Sequence, residues 1–277
     1  MTIEMKGVPK DVHLSVVIPA YNEENRIGKT LRRVLEYLSD QSYESEVVVV
    51  DDGSQDRTIE VVREFTTNFP NVTVLDNVPN RGKGFAVRRG MLESRGRFLL
   101  FSDADLSTPI GEVERLLVYL QNGYDVAIAS RALPLADIRV RQPWWRQSMG
   151  RTFNRLVRKL FLPDILDSQC GFKCFPRDVA QQVFSRQRTD RFGFDVEILW
   201  IVSKLGYRIA EVPVTWVNDP LSKVHPIRDS FWMLVDLLRV WLNNRGGAYD
   251  EMPPDLKLET KSKLRESASA LSAIEKK

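Results

Sequence analysis

The chain has 277 residues, 43% hydrophobic and 28% charged, with a formal net charge of +3. That size suits one large α/β domain or two small ones. The composition excludes a disordered chain, and the near-neutral balance excludes the overall electrostatic signature of a nucleic-acid binder. Cys170 and Cys174 give no disulfide framework, and His13 and His225 give no zinc cluster. A reducing, cytoplasmic compartment is therefore expected. The opening MTIEMKGVPKDVHLSVV has no signal-like apolar region, and no apolar stretch nears the ~20 residues needed to span a bilayer. Contact with a membrane surface stays open.

The predicted elements alternate. HLSVVIPAYN reads as a strand stopped near a proline. It is followed by a helix with Ile27, Leu31, Val34, Leu35 and Leu38 at helical spacing. SEVVVVDDGS, VTVLDN, GRFLLFSDAD and YDVAIASR read as further strands. DRTIEVVREFTTNF, GKGFAVRRGMLES and PIGEVERLLVYLQ read as the helices between them. This order predicts a mostly parallel sheet covered by helices on both faces, with right-handed crossovers. Ligands of such sheets bind beyond the carboxyl ends of the strands. There the chain places Asn22 and Glu23, Asp51 and Asp52, Asp103 and Asp105, and Arg131.

Between Ile138 and Pro163 the pattern changes to six arginines and one lysine with no acidic residue, and Trp144 and Trp145 lie inside this stretch. DILDSQCGFKCF reads as a loop leading to a short strand. FDVEILWIVSKLG reads as a helix, RIAEVPVTW as a strand and residues 227–244 as an amphipathic helix. No second core is visible. A single domain over 1–248 is expected, with a charged, mobile tail over 249–277.

Two aspartates one residue apart repel each other unless a cation lies between them. A hard divalent ion, Mg²⁺ or Mn²⁺, takes such oxygen ligands and shares itself with a diphosphate. An isolated D-x-D also serves as a helix cap next to a solvated residue. Asp52 has two readings as well, a ligand for a base or ribose and a turn residue. No G-x-G-x-x-G follows the first strand, which disfavours a dinucleotide site. Lys83 in RGKGFA stands near a helix start as an anion ligand or as part of a tight turn.

SVVIPAYNEE, VVVVDDGSQDRT, NRGKGFAVRRGM, SDADLSTP and IASR, in this order, resemble the motifs of family 2 glycosyltransferases of the GT-A fold across about residues 12–245. DSQCGFKCF and RFGFDVEILWI resemble segments of dolichyl-phosphate glucosyltransferases. EVPVTW followed by Ser-Lys is shared with dolichyl-phosphate mannose synthases. The resemblance implies inverting transfer of a hexose from a nucleotide sugar to a polyprenyl phosphate. It implies that Pro19, Tyr21, Glu23, Val50 and Asp52 hold the nucleotide, and that Asp103, Ala104 and Asp105 form the metal and diphosphate site. It further implies that Arg131 contacts the diphosphate, that Arg146 lies on the acceptor side and that Lys223 belongs to a loop closing over the donor. Two departures bear on the donor. Ser107 stands where mannose synthases often carry a glutamine ligand, and VNDPLSK lacks their upstream arginine. UDP-glucose is thus favoured over GDP-mannose.

A phosphate acceptor is already largely ionised at neutral pH, since its second pKa is near ~6. Alignment and cations then matter more than a general base. Arg139, Arg141, Arg146 and Arg151 are expected to contact the acceptor phosphate. The same basic segment, with its tryptophans, suits an anionic membrane surface, and the apolar side of 227–243 suits either the interface or the core. Asp195 is expected beside the sugar or at a helix N-cap. Gln169 is expected to help recognise the sugar. The rival expectations are a family 2 enzyme with a soluble acceptor, using a carboxylate base near Asp195, and a catalytically idle module that binds nucleotide sugars.

Overall fold

The fully buried apolar runs form strands, and the runs with helical spacing form helices between them. The computed structural model describes residues 11–140, 144–218 and 226–250, with the backbone alone for 144–146 and 226–231. β1 (Leu14–Ala20), β2 (Ser45–Asp51), β3 (Val72–Asp76), β4 (Phe98–Ser102) and β5 (Val126–Ser130) alternate with α1 (Ile27–Ser39), α2 (Thr58–Asn68), α3 (Lys83–Glu93) and α4 (Val113–Gln121). Then come β6 (Asp137–Val140), α5 (Trp144–Leu160), β7 (Phe172–Pro176), α6 (Arg177–Phe184), α7 (Phe194–Lys204), β8 (Ile209–Pro213), β9 (Thr215–Val217) and α8 (Pro226–Arg245).

The main sheet has the order β3-β2-β1-β4-β7-β5-β8. β7 runs antiparallel to both β4 and β5, while the other pairs are parallel. Strand side chains alternate between two cores. Val16, Ile18, Val47, Val49 and Leu100 face α1, α2 and α4. Val17, Val48, Val50, Leu99 and Phe101 face α3, α6 and α7. The strand order reverses between β1 and β4, so the loops beyond their carboxyl ends part to leave a cleft there.

Several sequence expectations change. The basic stretch, to which the sequence pattern assigned no element, contains the 17-residue helix α5. Its buried stripe is narrow, with Val157 at 1% exposure, and Arg151, Arg155 and Arg158 stand outside. RIAEVPVTW is two strands, β8 in the main sheet and β9 paired with β6 in a separate ribbon. The apolar side chains of α8 are divided between the core and the surface. Leu237 and Val240 pack into the core, whereas Trp232, Leu234, Leu238, Trp241 and Leu242 stay exposed. The tail does not begin at Tyr249. That ring is 1% exposed, and its hydroxyl donates to Glu197 at 2.8 Å. Residues 251–277, the rest of the expected tail, lie outside the described residues.

The amino ends of the strands are tied by Glu46, whose carboxylate accepts from Ser15 Oγ, the Arg95 amide and the Arg95 guanidinium at 2.7–3.0 Å. Burial opposes its ionisation, but these donors outweigh burial and hold its pKa below the usual glutamate value. A depressed folded-state pKa stabilises the fold above the unfolded value, and that contribution is lost as pH falls through the folded one. Glu46→Gln is therefore expected to cost about 1–2 kcal/mol at neutral pH. The difference from wild type should shrink in acid, with turnover unchanged, since Glu46 sits at the sheet edge opposite the cleft. Thermal melts at pH 7 and pH 3 check this.

Candidate active site

The loops at the switch point are held by their own side chains. Asn22 takes a positive φ of 55°. Its amide donates to Ser54 Oγ at 2.8 Å, and its Oδ1 accepts from the Gln55 amide at 2.7 Å. The Glu23 amide donates to Thr58 Oγ1 at 2.6 Å, and the Glu23 carboxylate pairs with Arg26. The loops after β1 and β2 are thereby zipped together. Pro19 and Val50 are buried in their strands, whereas Tyr21 is 41% exposed at the rim.

Asp51 and Asp52 take different jobs. Asp51 closes its own turn by accepting from the Ser54 amide and hydroxyl. The Asp52 carboxylate accepts from the amides of Arg81 and Gly82 at 3.1 and 2.7 Å and from Asn77 at 3.3 Å. It therefore shapes the glycine turn that opens α3. Gly82 has φ 116°, a conformation that favours glycine. A Cβ there would also stand 2.4 Å from the Asp190 carbonyl. That turn delivers Lys83.

The carboxylate pair follows β4. Lys83 Nζ lies 2.6 Å from Asp103 Oδ1. The Ala104 carbonyl accepts from Thr30 at 2.6 Å, and Asp105 accepts from the Ser107 amide at 2.9 Å. The loop turns at Leu106, whose φ is 47°. Ser107 in turn accepts from the Val217 amide at 2.8 Å, which joins the β6–β9 ribbon to this loop. Burial, and then the charge of Asp103, push the Asp105 carboxyl above its ordinary range. Two like charges this close favour a shared cation, and two hard oxygen donors fit Mg²⁺ or Mn²⁺. No group of three or more His, Cys, Asp or Glu that could hold a metal occurs among the described residues. Asp103 and Asp105 are the two carboxylates on this turn that could serve as donors to such an ion, with the rest of its shell left to a ligand and water.

Sequence reasoning missed the partners that fix this constellation. Arg131 is gripped by Asp167 through Nε at 2.7 Å and Nη2 at 2.8 Å, and its own amide adds a third bond at 3.0 Å. Burial opposes ionisation of Asp167, but Arg131 prevails and holds that carboxyl down at about 2. Glu211 in turn accepts from the amides of Leu166 and Asp167. The Gln169 amide donates to Asp167 at 3.2 Å, while Gln169 Nε2 is buried with no hydrogen-bond partner among the described residues. Asp195 is no helix cap. It lies in the first turn of α7, whose N-cap is Gly193, and it is 4% exposed. Lys173, from the middle of β7, donates to it. Burial pushes Asp195 above the aspartate range, and Lys173 and then Lys83 pull it back.

Gly171 leaves no room at Asp103, since a Cβ there would stand 2.1 Å from Asp103 Oδ2. Gly171→Ala is expected to displace that carboxylate and lower turnover roughly a hundredfold, because misplacement by about 1 Å costs that much. Steady-state kinetics and a thermal melt of the variant check this. Unchanged kinetics would show that Asp103 is not needed where it stands.

On the expected acceptor side, Arg139 is exposed on β6 and bonded to Asp137 at 2.9 Å, and Arg151 is exposed on α5. Arg146 lies in the first turn of α5, where only the backbone is described. Arg141 and Lys223 lie outside the described residues.

Comparison with known proteins bears on the family and the fold. The chain is 38% identical over 249 residues to the dolichyl-phosphate beta-glucosyltransferase of Homo sapiens, covering 85% of this chain and 77% of that protein. It is 37% identical over 251 residues to that of Drosophila melanogaster, covering 86% and 77%. Among solved structures it is similar to glucosyl-3-phosphoglycerate synthase from Mycobacterium tuberculosis in complex with Mn²⁺, UDP and phosphoglyceric acid. That match has a TM-score of 0.60 and 23% identity over 83% of this chain and 78% of the other. Mannosyl-3-phosphoglycerate synthase from Rubrobacter xylanophilus gives a TM-score of 0.64 at 18% identity, over 85% and 75%. These structural likenesses show the fold, which is the GT-A fold. Residues 15–184 match the family Glycosyl transferase family 2. With relatives this similar along most of its length, the chain belongs to glycosyltransferase family 2 and is a glycosyltransferase.

Proposed function

We propose that the enzyme transfers glucose from UDP-glucose, with inversion, to dolichyl phosphate or a related polyprenyl phosphate, at the cytoplasmic face of a membrane and with a divalent cation. One observation carries the reading: relatives at 34–38% identity over most of the chain are dolichyl-phosphate beta-glucosyltransferases. Asp103 and Asp105 would hold the cation, which when bound neutralises the diphosphate as it leaves. Lys83 stands at the same point and can exchange Asp103 for a phosphate oxygen. Arg131, immobilised by Asp167, keeps Nη1 outside that pair and can offer it to the diphosphate. Asp52 and its turn would shape the nucleotide end, with Pro19, Tyr21, Glu23 and Val50, while Gln169 would read the sugar. The loop-lysine role that the family resemblance implies falls on Lys223, outside the described residues.

The acceptor phosphate brings its own ionised oxygen. No carboxylate base is then required, which suits an Asp195 buried against Lys173. Arg139, Arg141, Arg146 and Arg151 would hold the acceptor phosphate and approach anionic lipid. The exposed Trp232, Leu234, Leu238, Trp241 and Leu242 of α8 would rest in the interface. No helix among the described residues is long and apolar enough to cross a membrane.

Incubation with UDP-glucose, GDP-mannose and other sugar nucleotides, together with polyprenyl phosphate in vesicles, tests the reading by product mass. Lipid-linked glucose from UDP-glucose alone is the expected result. Transfer to a soluble acceptor without lipid, or no lipid-linked hexose from any donor, would refute it.

A further inference from the structure

Lys173 has no part in the chemistry described so far, yet it is the most deeply placed cation near the cleft. Its side chain is 0% exposed. It donates to Asp195 and, at 2.6 Å, to the Cys170 carbonyl, and Nζ lies 5.1 Å from the centroid of the Phe101 ring. A methionine would fill that space without the cost of desolvating an ammonium group. The charge itself therefore needs an explanation, and its surroundings supply one.

Lys83 reaches the cleft across the Phe194 ring, 5.8 Å from its centroid, beside the residue that carries the buried carboxylate. Burial works against the charge of Lys83. Its Nζ is paired with Asp103 at 2.6 Å, and Asp195 directly follows the ring it crosses. One flexible cation thus faces two anions. Asp103 lies where a diphosphate would arrive, and Asp195, in the first turn of α7, is 4% exposed. A cation drawn to Asp195 would be lost to the ligand. Lys173, on β7, already pairs with Asp195, and the Cys170 carbonyl holds it there.

We propose that Lys173 is a positioning residue for donor binding: by neutralising Asp195, it keeps Lys83 at Asp103, where an incoming nucleoside diphosphate can take it over. Lys173 touches no substrate and acts through Lys83. The inference rests on the reading of this cleft as a nucleoside-diphosphate-sugar site.

Calorimetric titration of the full chain with UDP and with uridine, in buffer containing Mn²⁺, tests it. Lys83→Met is expected to lose about tenfold or more in UDP affinity, the worth of a charge-assisted bond to phosphate. Lys173→Met should lose about as much, with uridine binding unchanged, and should add nothing in the Lys83→Met background. Lys173→Met/Asp195→Asn, which removes the anion together with its guard, should return to within about threefold of wild type. A merely structural role would weaken uridine and UDP alike, and that result would overturn the proposal. So would wild-type UDP affinity in Lys173→Met, or a tenfold loss that persists in the double variant. Should Lys173→Met fail to fold, the double variant, which buries no lone charge, carries the test with the same two outcomes. A wild-type chain that takes up no UDP would overturn the reading of the site and the inference with it. If Lys83→Met loses UDP affinity while Lys173→Met does not, the inference alone falls.

Discussion

Asp105→Asn is expected to lower turnover by at least about a hundredfold, and removal of divalent cations by a chelator is expected to do the same to the wild-type enzyme. The expectation follows from the placement of two carboxylates on one short turn, with Asp105 raised in pKa by burial and by Asp103. A group whose folded-state pKa is raised above its unfolded value destabilises the fold when ionised. The asparagine variant should therefore melt at or slightly above the wild-type temperature while losing activity. That combination separates a functional charge from a structural one. Activity in chelator equal to that in Mn²⁺, together with an active Asp105→Asn, would refute the role given to the pair.

Asp167→Asn is expected to cost about 3–5 kcal/mol of stability, the usual result of breaking one side of a buried ion pair. For a chain of this size that corresponds to a melting temperature lower by roughly 10 °C. The carboxyl is 2% exposed, whereas the guanidinium side chain of Arg131 is 28% exposed and so partly screened. The lower end of the range is therefore the better guide. The pH dependence has a definite sign. Asp167 titrates at about 2 in the folded chain, so its contribution is full above the ordinary aspartate value near ~3.9 and fades as pH falls toward 2. Wild type and variant should differ most near neutrality and converge in strong acid. Turnover should fall as well, because Arg131 loses the bidentate grip that aims it. Melting curves across pH, with initial rates at pH 7, measure both. A variant as stable as wild type at pH 7 would show that the pair contributes nothing net.

The first half of the chain was legible because local pattern and tertiary fate agree there. VVVV and FLLF are strands buried on both faces, and the residues closing them fall on the cleft side of the sheet by topology alone. Past Arg131 that agreement lapses. α5 carries five arginine or lysine side chains over Arg146–Lys159 and buries only a thin stripe, so its helical period was hidden by charge. β6 and β9 are only 4 and 3 residues long and mark no period. The partners that organise the cleft were the least readable. Lys173 sits between Phe172 and Cys174, where alternation alone would place a solvated lysine on the open face of an edge strand. It is buried because its carboxylate lies 22 residues away. Arg131 and Asp167 meet across 36 residues. Charge pairs of that separation exist in the sheet order, not in any local window.

The reversed β7 also governs how the chain can be assembled. It is the element that joins β4 to β5, so β5 has no place beside the first four strands until some forty residues after it have been made. A nascent or truncated chain ending near Arg131 would present β5 as an open ribbon edge with nothing to zip onto, the kind of surface that recruits neighbours into aggregates. Completing the sheet and delivering Gly171 and Lys173 to the cleft are therefore one event. Fragments that lack β7 should be insoluble rather than partly active.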